Sequence, residues 1–159
     1  MNEKTTSKDP FRKAMNTAAH LLARRDHTGF EIKQKLGQRG YGRCVVDAVL
    51  AECERLNYIN DERTARVYIG QLARRGFGFR RIRMELKKKG LSGDRFESIL
   101  NESSSEIDEG DIAKRALQKK MKSFEKEKDN RKRRDKVYRF LYSRGFSETV
   151  ISELIRKFN

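Results

Sequence analysis

Three times along this chain an aliphatic residue is followed four, eight and nine positions later by leucine, glycine and a large apolar residue. The sets are Ile32, Leu36, Gly40, Tyr41; then Ile82, Leu86, Gly90, Leu91; then Val137, Leu141, Gly145, Phe146. Each continues with apolar residues five, eight and nine positions past its last member: Val46, Val49, Leu50; Phe96, Ile99, Leu100; Ile151, Leu154, Ile155. A pattern kept at so many fixed offsets is an internal repeat, and a repeat constrains architecture more than any single residue does. Apolar residues four apart share one helical face, and the glycine stands where a helix ends in a left-handed cap. The later offsets give a second helix its inner face.

One further helix fits ahead of each pair. Met15, Ala18, Ala19 and Leu22 align without gaps with Ala65, Tyr68, Ile69 and Leu72, fifty residues on. The third copy is looser: Ala113, Ala116, Leu117, Met121 and Phe124 keep helical spacing, with extra residues before Val137. The expected fold is all-α, with three tandem three-helix repeats that touch only their neighbours in an elongated, curved body. The units span residues 10–59, 60–102 and 111–159, an acidic, serine-rich flexible linker occupies 103–110, and 1–9 form a disordered N-terminus. Helix-start chemistry agrees. Asp9 precedes Pro10, Thr28 and Glu31 have capping-box spacing, Asn60 or Asp61 can open the second unit, and Ser92 and Ser147 follow glycine turns.

With 38% charged and 36% hydrophobic residues, several small cores fit better than one large one. No apolar run approaches membrane-spanning length, and the start MNEKTTSKDP lacks the apolar stretch of a signal peptide, so a cytoplasmic protein without a membrane partner is expected. Cys53 falls on the inner face with Val46, Val49, Leu50 and Leu56 and reads as a reduced core cysteine, whereas Cys44 lies off that face. Two cysteines nine apart make no zinc spacing, and His20 and His27 form no ligand cluster with them, so neither metal nor cofactor is expected. Asp26 beside His27 reads as a turn contact rather than an acid–base pair. There is no Gly-Lys-Ser/Thr phosphate loop, and no residue stands out as catalytic.

Charge is the second strong signal. The formal net charge is +15, and it is concentrated: Arg74 to Lys89 holds eight basic residues against one acid, and Ile112 to Lys136 twelve against four. On a helical wheel with Ile82 and Leu86 inward, Arg80, Arg81, Arg83, Lys87 and Lys88 fall on the outer half and Lys89 near the apolar edge. A solvated face is the ordinary reading of a charge run, but solubility is served by mixed signs. A one-signed surface repels itself and points to a polyanionic or acidic partner. Phe77 and Phe79 interleave with the arginines. Phe79 falls inward, as core, and Phe77 is open to either core packing or stacking on bases.

Several segments resemble the RecX regulators, bacterial cytoplasmic proteins that act on the recombinase RecA. They are LARRDHTGFEIKQKL from Leu22, LNYINDERTARVYI from Leu56, GFGFRRIRMELKKKGL from Gly76 and FLYSRGFSETVISEL from Phe140. The similarity runs from about Phe11 to Phe158. Its most specific pieces are Arg25-Asp26-His27 followed by Glu31 and Leu36, and Gly78 followed by Arg81-Ile82-Arg83, Glu85-Leu86 and Lys89-Gly90. The sequence departs from the family at Asn57 to Asp61, where members often carry glycine and paired aspartates, and in the basic insert between Lys122 and Lys136. The resemblance implies a non-enzymatic modulator that lies in the groove of the RecA–DNA filament, and a monomer is expected. Such a protein suppresses ATPase, strand exchange and coprotease activity, with weaker, non-specific binding to single- and double-stranded DNA. The contact residues expected are Arg74, Arg75, Arg80, Arg81, Arg83, Lys87 and Lys88, with Arg24, Arg25, Lys33 and Lys35 secondary. The competing expectation is a general DNA-binding protein built of helix-turn-helix-like units.

Overall fold

The computed structural model describes residues 9–156, and the expected disorder of residues 1–8 lies outside them. Among the described residues there are ten helices and no strand. The first repeat is α1 (Pro10–Leu22), α2 (Gly29–Gln38) and α3 (Arg43–Arg55); the second is α4 (Asp61–Arg74), α5 (Phe79–Lys88) and α6 (Asp94–Glu106). The third is α7 (Glu109–Gln118), the single turn α8 (Met121–Phe124), α9 (Asn130–Ser143) and α10 (Glu148–Arg156). Three tandem three-helix repeats are therefore present, as the apolar spacing requires.

By packing, the chain forms two compact bodies whose borders do not follow the repeats. One runs to Thr64 and takes in Lys89–Leu91; the other comprises Ala65–Lys88 and the chain from Ser92 onward. The first body is built on Ala14, Ala18, Ile32, Leu36, Val46, Val49, Cys53 and Ile59, with Phe11, Met15, Leu22 and Tyr41 packed against them. Ala19, expected inward, is exposed, and Ala14 takes the buried place one turn from Ala18. In the second body every aliphatic that opens a repeat set, with its leucine four on, is buried: Ile82 and Leu86, Val137 and Leu141. Phe124 closes its lower edge on Phe140, ring centroids 5.6 Å apart.

Helix ends follow the expected chemistry with two corrections. Asp9 accepts from the Phe11 amide ahead of Pro10, which takes it out of the expected disordered N-terminus, and Thr28 and Glu31 form a reciprocal capping box. Asn60 caps α4 by accepting from the Arg63 amide at 2.9 Å, and Ser147 Oγ accepts from Val150 N at 3.4 Å. Ser92, however, is no cap: Gly93, at φ 95°, takes that place before α6. The segment 103–110, expected as a linker, is mostly helical. Helix α6 runs to Glu106, and within it Ser103, Ser104 and Ser105 turn their hydroxyls back onto the carbonyls of Ile99, Asn101 and Glu102. Only residues 107–108 separate it from α7, which Asp108 caps.

The same joint between successive repeats is built once in each body. In the first, Thr28 Oγ1 donates to the Lys89 carbonyl at 2.8 Å and the Gly29 amide to Asp61 Oδ1 at 2.9 Å. In the second, the Gly78 amide donates to the Arg144 carbonyl and the Phe79 amide to Glu109 Oε1, both at 2.9 Å. In repeat register these are equivalent positions: Thr28 with Gly78, Gly29 with Phe79, Asp61 with Glu109, Lys89 with Arg144. The cation before the turn glycine then reaches back. Lys89 Nζ meets Glu31 Oε1 at 2.7 Å, and Arg144 Nη1 donates to the carbonyls of Arg75 and Gly76 at 3.1 Å each.

Glu31 concentrates the first joint's electrostatics. Burial pushes its carboxyl upward, but hydrogen bonds from Arg25, Lys89 and the Thr28 amide outweigh that and hold it at about 2. Because the folded value is depressed, the stabilisation is complete above the ordinary glutamate range and is lost as pH falls from about 4.5 toward 2. Glu31→Gln should cost ~1–2 kcal/mol at neutral pH, after discounting for solvent screening. Denaturant titrations between neutral pH and pH 3 should show the wild-type–variant gap closing in acid. A gap independent of pH would contradict this role.

Candidate basic interface

Helix α5 carries the densest charge. Ile82 and Leu86 are buried one turn apart, and the rest of the helix leaves Arg80, Arg83, Lys87 and Lys88 exposed with Met84. The helix is thus held by two aliphatics while its remaining surface is cationic. Its charges differ in availability. Arg81 is half-buried, its Nε 2.9 Å from Glu85 Oε1 in an ion pair rather than an aligned hydrogen bond, and Lys88 Nζ reaches the same oxygen at 3.0 Å. Hydrogen bonding to Lys88 holds the Glu85 carboxyl below its usual range. Arg83 pairs with Glu97 at 2.9 Å, while Lys87 has no carboxylate partner among the described residues.

Arg80 continues this surface onto α9. Its guanidinium lies 4.0 Å over the Tyr142 ring and Nη2 donates to the Tyr142 carbonyl at 2.7 Å. Tyr142 in turn stacks on Tyr138, centroids 5.8 Å apart, so an arginine and two half-exposed tyrosines form one column. Phe77 is half-buried among the guanidinium groups of Arg75, Arg81 and Arg144, at 5.5, 5.9 and 5.3 Å. These cation–π contacts order the arginines and leave Phe77 as their support.

A second feature lies at the C-terminal ends of α4 and α7. Here Arg74 and Arg75 face Arg115, Lys119, Lys120 and Arg144 across a cleft of about 550 Å³ that no carboxylate lines. Arg74 and Arg75 were legible as site candidates; the other four were not singled out, because the cleft exists only where α4 meets α7. Arg144 had one available signal, its repeat register with Lys89.

The secondary candidates in the first body are divided. Arg25 bonds Glu31 at 3.1 Å and Lys33 bonds Asp47 at 2.9 Å, so both serve local ion pairs. Arg24 is exposed and Lys35 half-buried. His27 is buried, a ring nitrogen 2.9 Å from the Arg25 carbonyl, and burial lowers its pKa, so it supports the turn. Among the described residues no group of histidine, cysteine and carboxylate side chains is placed to hold a metal, and no helix is long and apolar enough to cross a membrane.

Tandem three-helix units carrying cations on packed helices define a helical repeat protein with a strongly basic surface. Comparison with known proteins gives the family. Models described as the first, second and third three-helix domains of RecX match residues 14–53, 60–97 and 107–155. The regulatory protein RecX of Legionella pneumophila (strain Corby) is 36% identical over 146 residues, covering 91% of this chain and 94% of that protein. RecX of Haemophilus influenzae (strain PittEE) is 32% identical over 143 residues, covering 89% and 92%. The crystal structure of RecX from Lactobacillus salivarius superposes with a TM-score of 0.81 at 21% identity, covering 95% of this chain and 97% of that one. The chain belongs to the RecX family of regulatory proteins.

Proposed function

We propose that this chain regulates the RecA recombinase by binding the RecA–DNA filament in its groove, lowering ATPase, strand exchange and coprotease activity without catalysing a reaction itself. The observation that carries this reading is the predominantly cationic surface of α5 on a scaffold shared with proteins named as regulators. Cations held by packed helices meet acidic protein surface or DNA phosphate at small entropic cost, and phosphate contacts give affinity without sequence choice. The protein acts in the cytoplasm as a monomer. The general DNA-binding alternative draws support from the Arg80–Tyr142–Tyr138 column, whose exposed edges suit unstacked bases.

Co-sedimentation distinguishes the two. The regulator reading expects this protein to pellet with RecA–single-strand filaments at salt concentrations where it no longer pellets with the same DNA alone. Equal retention on filament and naked DNA across the salt series would favour the DNA-binding reading.

A further inference from the structure

We infer that the cleft between the C-terminal ends of α4 and α7 is a binding site for a compact polyphosphate anion, the triphosphate of a nucleotide or free inorganic polyphosphate. Six cations line it: Arg74 and Arg75 at the end of α4, Arg115, Lys119 and Lys120 on and just after α7, and Arg144 at the end of α9. The ordinary explanation of basic residues at helix C-termini is that they complement the helix dipole. The three helix ends, of α4, α7 and α9, bring only about one and a half negative charges together, however, so most of the six remain uncompensated. On α7, Asp111 is bonded to Lys114 at 2.8 Å and exerts only a weaker attraction on Arg115. Two of the arginines are also fixed in place. Arg144 donates Nη1 to the carbonyls of Arg75 and Gly76 and lies over Phe77 and Phe140, which leaves its remaining donors for a ligand, and Arg75 rests on Phe77.

Shape decides which anion fits. Duplex or single-stranded DNA spreads single charges along a backbone, and the exposed face of α5 suits that spacing. A cleft of about 550 Å³ that gathers six cations instead matches several charges on adjoining phosphates, and its volume is in the range of small-molecule sites. The floor is apolar, formed by Ala73, Ile112 and Ala116, which gives a sugar or base a surface if the polyphosphate belongs to a nucleotide.

Calorimetric titration of the full chain with sodium tripolyphosphate, ATP and AMP, without divalent cations or recombinase, tests the site. Tripolyphosphate and ATP should bind at least about tenfold tighter than AMP. Replacing Arg115, Lys119 and Lys120 together by glutamine should weaken both by about tenfold or more, whereas Lys126→Gln, Lys128→Gln and Arg131→Gln, removing equal charge elsewhere, should change binding less than about twofold. ATP binding tighter than tripolyphosphate identifies a nucleotide as the source; equal binding identifies free polyphosphate. In the unaltered chain, tripolyphosphate should also protect Lys119 and Lys120, but not Lys126 and Lys128, from acetylation read by mass spectrometry, which keeps the test valid if the triple variant folds poorly. Equal losses in the two variants, uniform lysine protection, or AMP binding as well as ATP would overturn the proposal.

Discussion

Gly145→Ala and Gly78→Ala will each destabilise the second body by ~2–4 kcal/mol, while Gly40→Ala will cost ~1–2 kcal/mol, the ordinary penalty for a side chain in the left-handed region. All three belong to turns of the repeat, so the difference isolates the joint. Gly145 has φ 82°, and a Cβ there would overlap the backbone nitrogen and Cβ of Arg81. A Cβ on Gly78 would overlap the carbonyl of Gly145 and the amide of Phe146. Two chain segments cross here at backbone contact, fixed by the Gly78 and Arg80 amides donating to the carbonyls of Arg144 and Gly145. Neither side can retreat without breaking those bonds. Gly40 also has φ 82°, but nothing lies within 4 Å of its added Cβ. Chemical denaturation followed by circular dichroism measures all three, and equal losses would show that the crossing contributes nothing beyond backbone conformation.

Replacing Arg74, Arg83, Lys87 and Lys88 together by glutamine will weaken binding to the filament at least about tenfold at moderate salt and flatten its salt dependence. Each lost phosphate contact should reduce the slope of log affinity against log salt by roughly 0.7–0.9. The fold should survive, because these side chains are exposed and the two ion pairs lost, with Glu97 and Glu85, are surface pairs of little net worth. Arg80 and Arg81 are left in place, since one holds the Tyr142 carbonyl and the other the remaining cation on Glu85. Fluorescence anisotropy of labelled filaments over a salt series gives both quantities. Unchanged affinity and slope would place the contact surface elsewhere on the protein.

Much of the fold was legible because it is local and periodic. The repeat residues Ile32, Leu36, Ile82, Leu86, Val137 and Leu141 are buried, and Gly40, Gly90 and Gly145 have φ of 82°, 77° and 82° as the left-handed caps require. The Thr28–Glu31 box also lay within one helical turn. What was not legible depended on competition or on distance. Ser92 is a good cap by type but loses the place to Gly93, and Ser103 to Ser105 have the composition of a linker although they lie inside α6 with their hydroxyls bonded back. The Thr28–Lys89 and Gly78–Arg144 bonds link residues far apart in sequence, so no local pattern announces them. The basic face of α5 was readable on a wheel, but the pairing that occupies Arg25, Lys33 and Arg81 was not, nor was the cleft that brings Arg74 and Arg75 to Lys119 and Lys120.

The most direct measurement of the regulatory reading is the ATPase rate of preassembled RecA filaments as this protein is added, with and without moderate competitor DNA. A protein seated in the filament groove influences several recombinase subunits, so the rate should fall well before the two proteins are equimolar, and the inhibition should persist when competitor is present. Inhibition that begins only once the protein can cover all the DNA, and that competitor DNA abolishes, would contradict the account and identify a general DNA-binding protein instead.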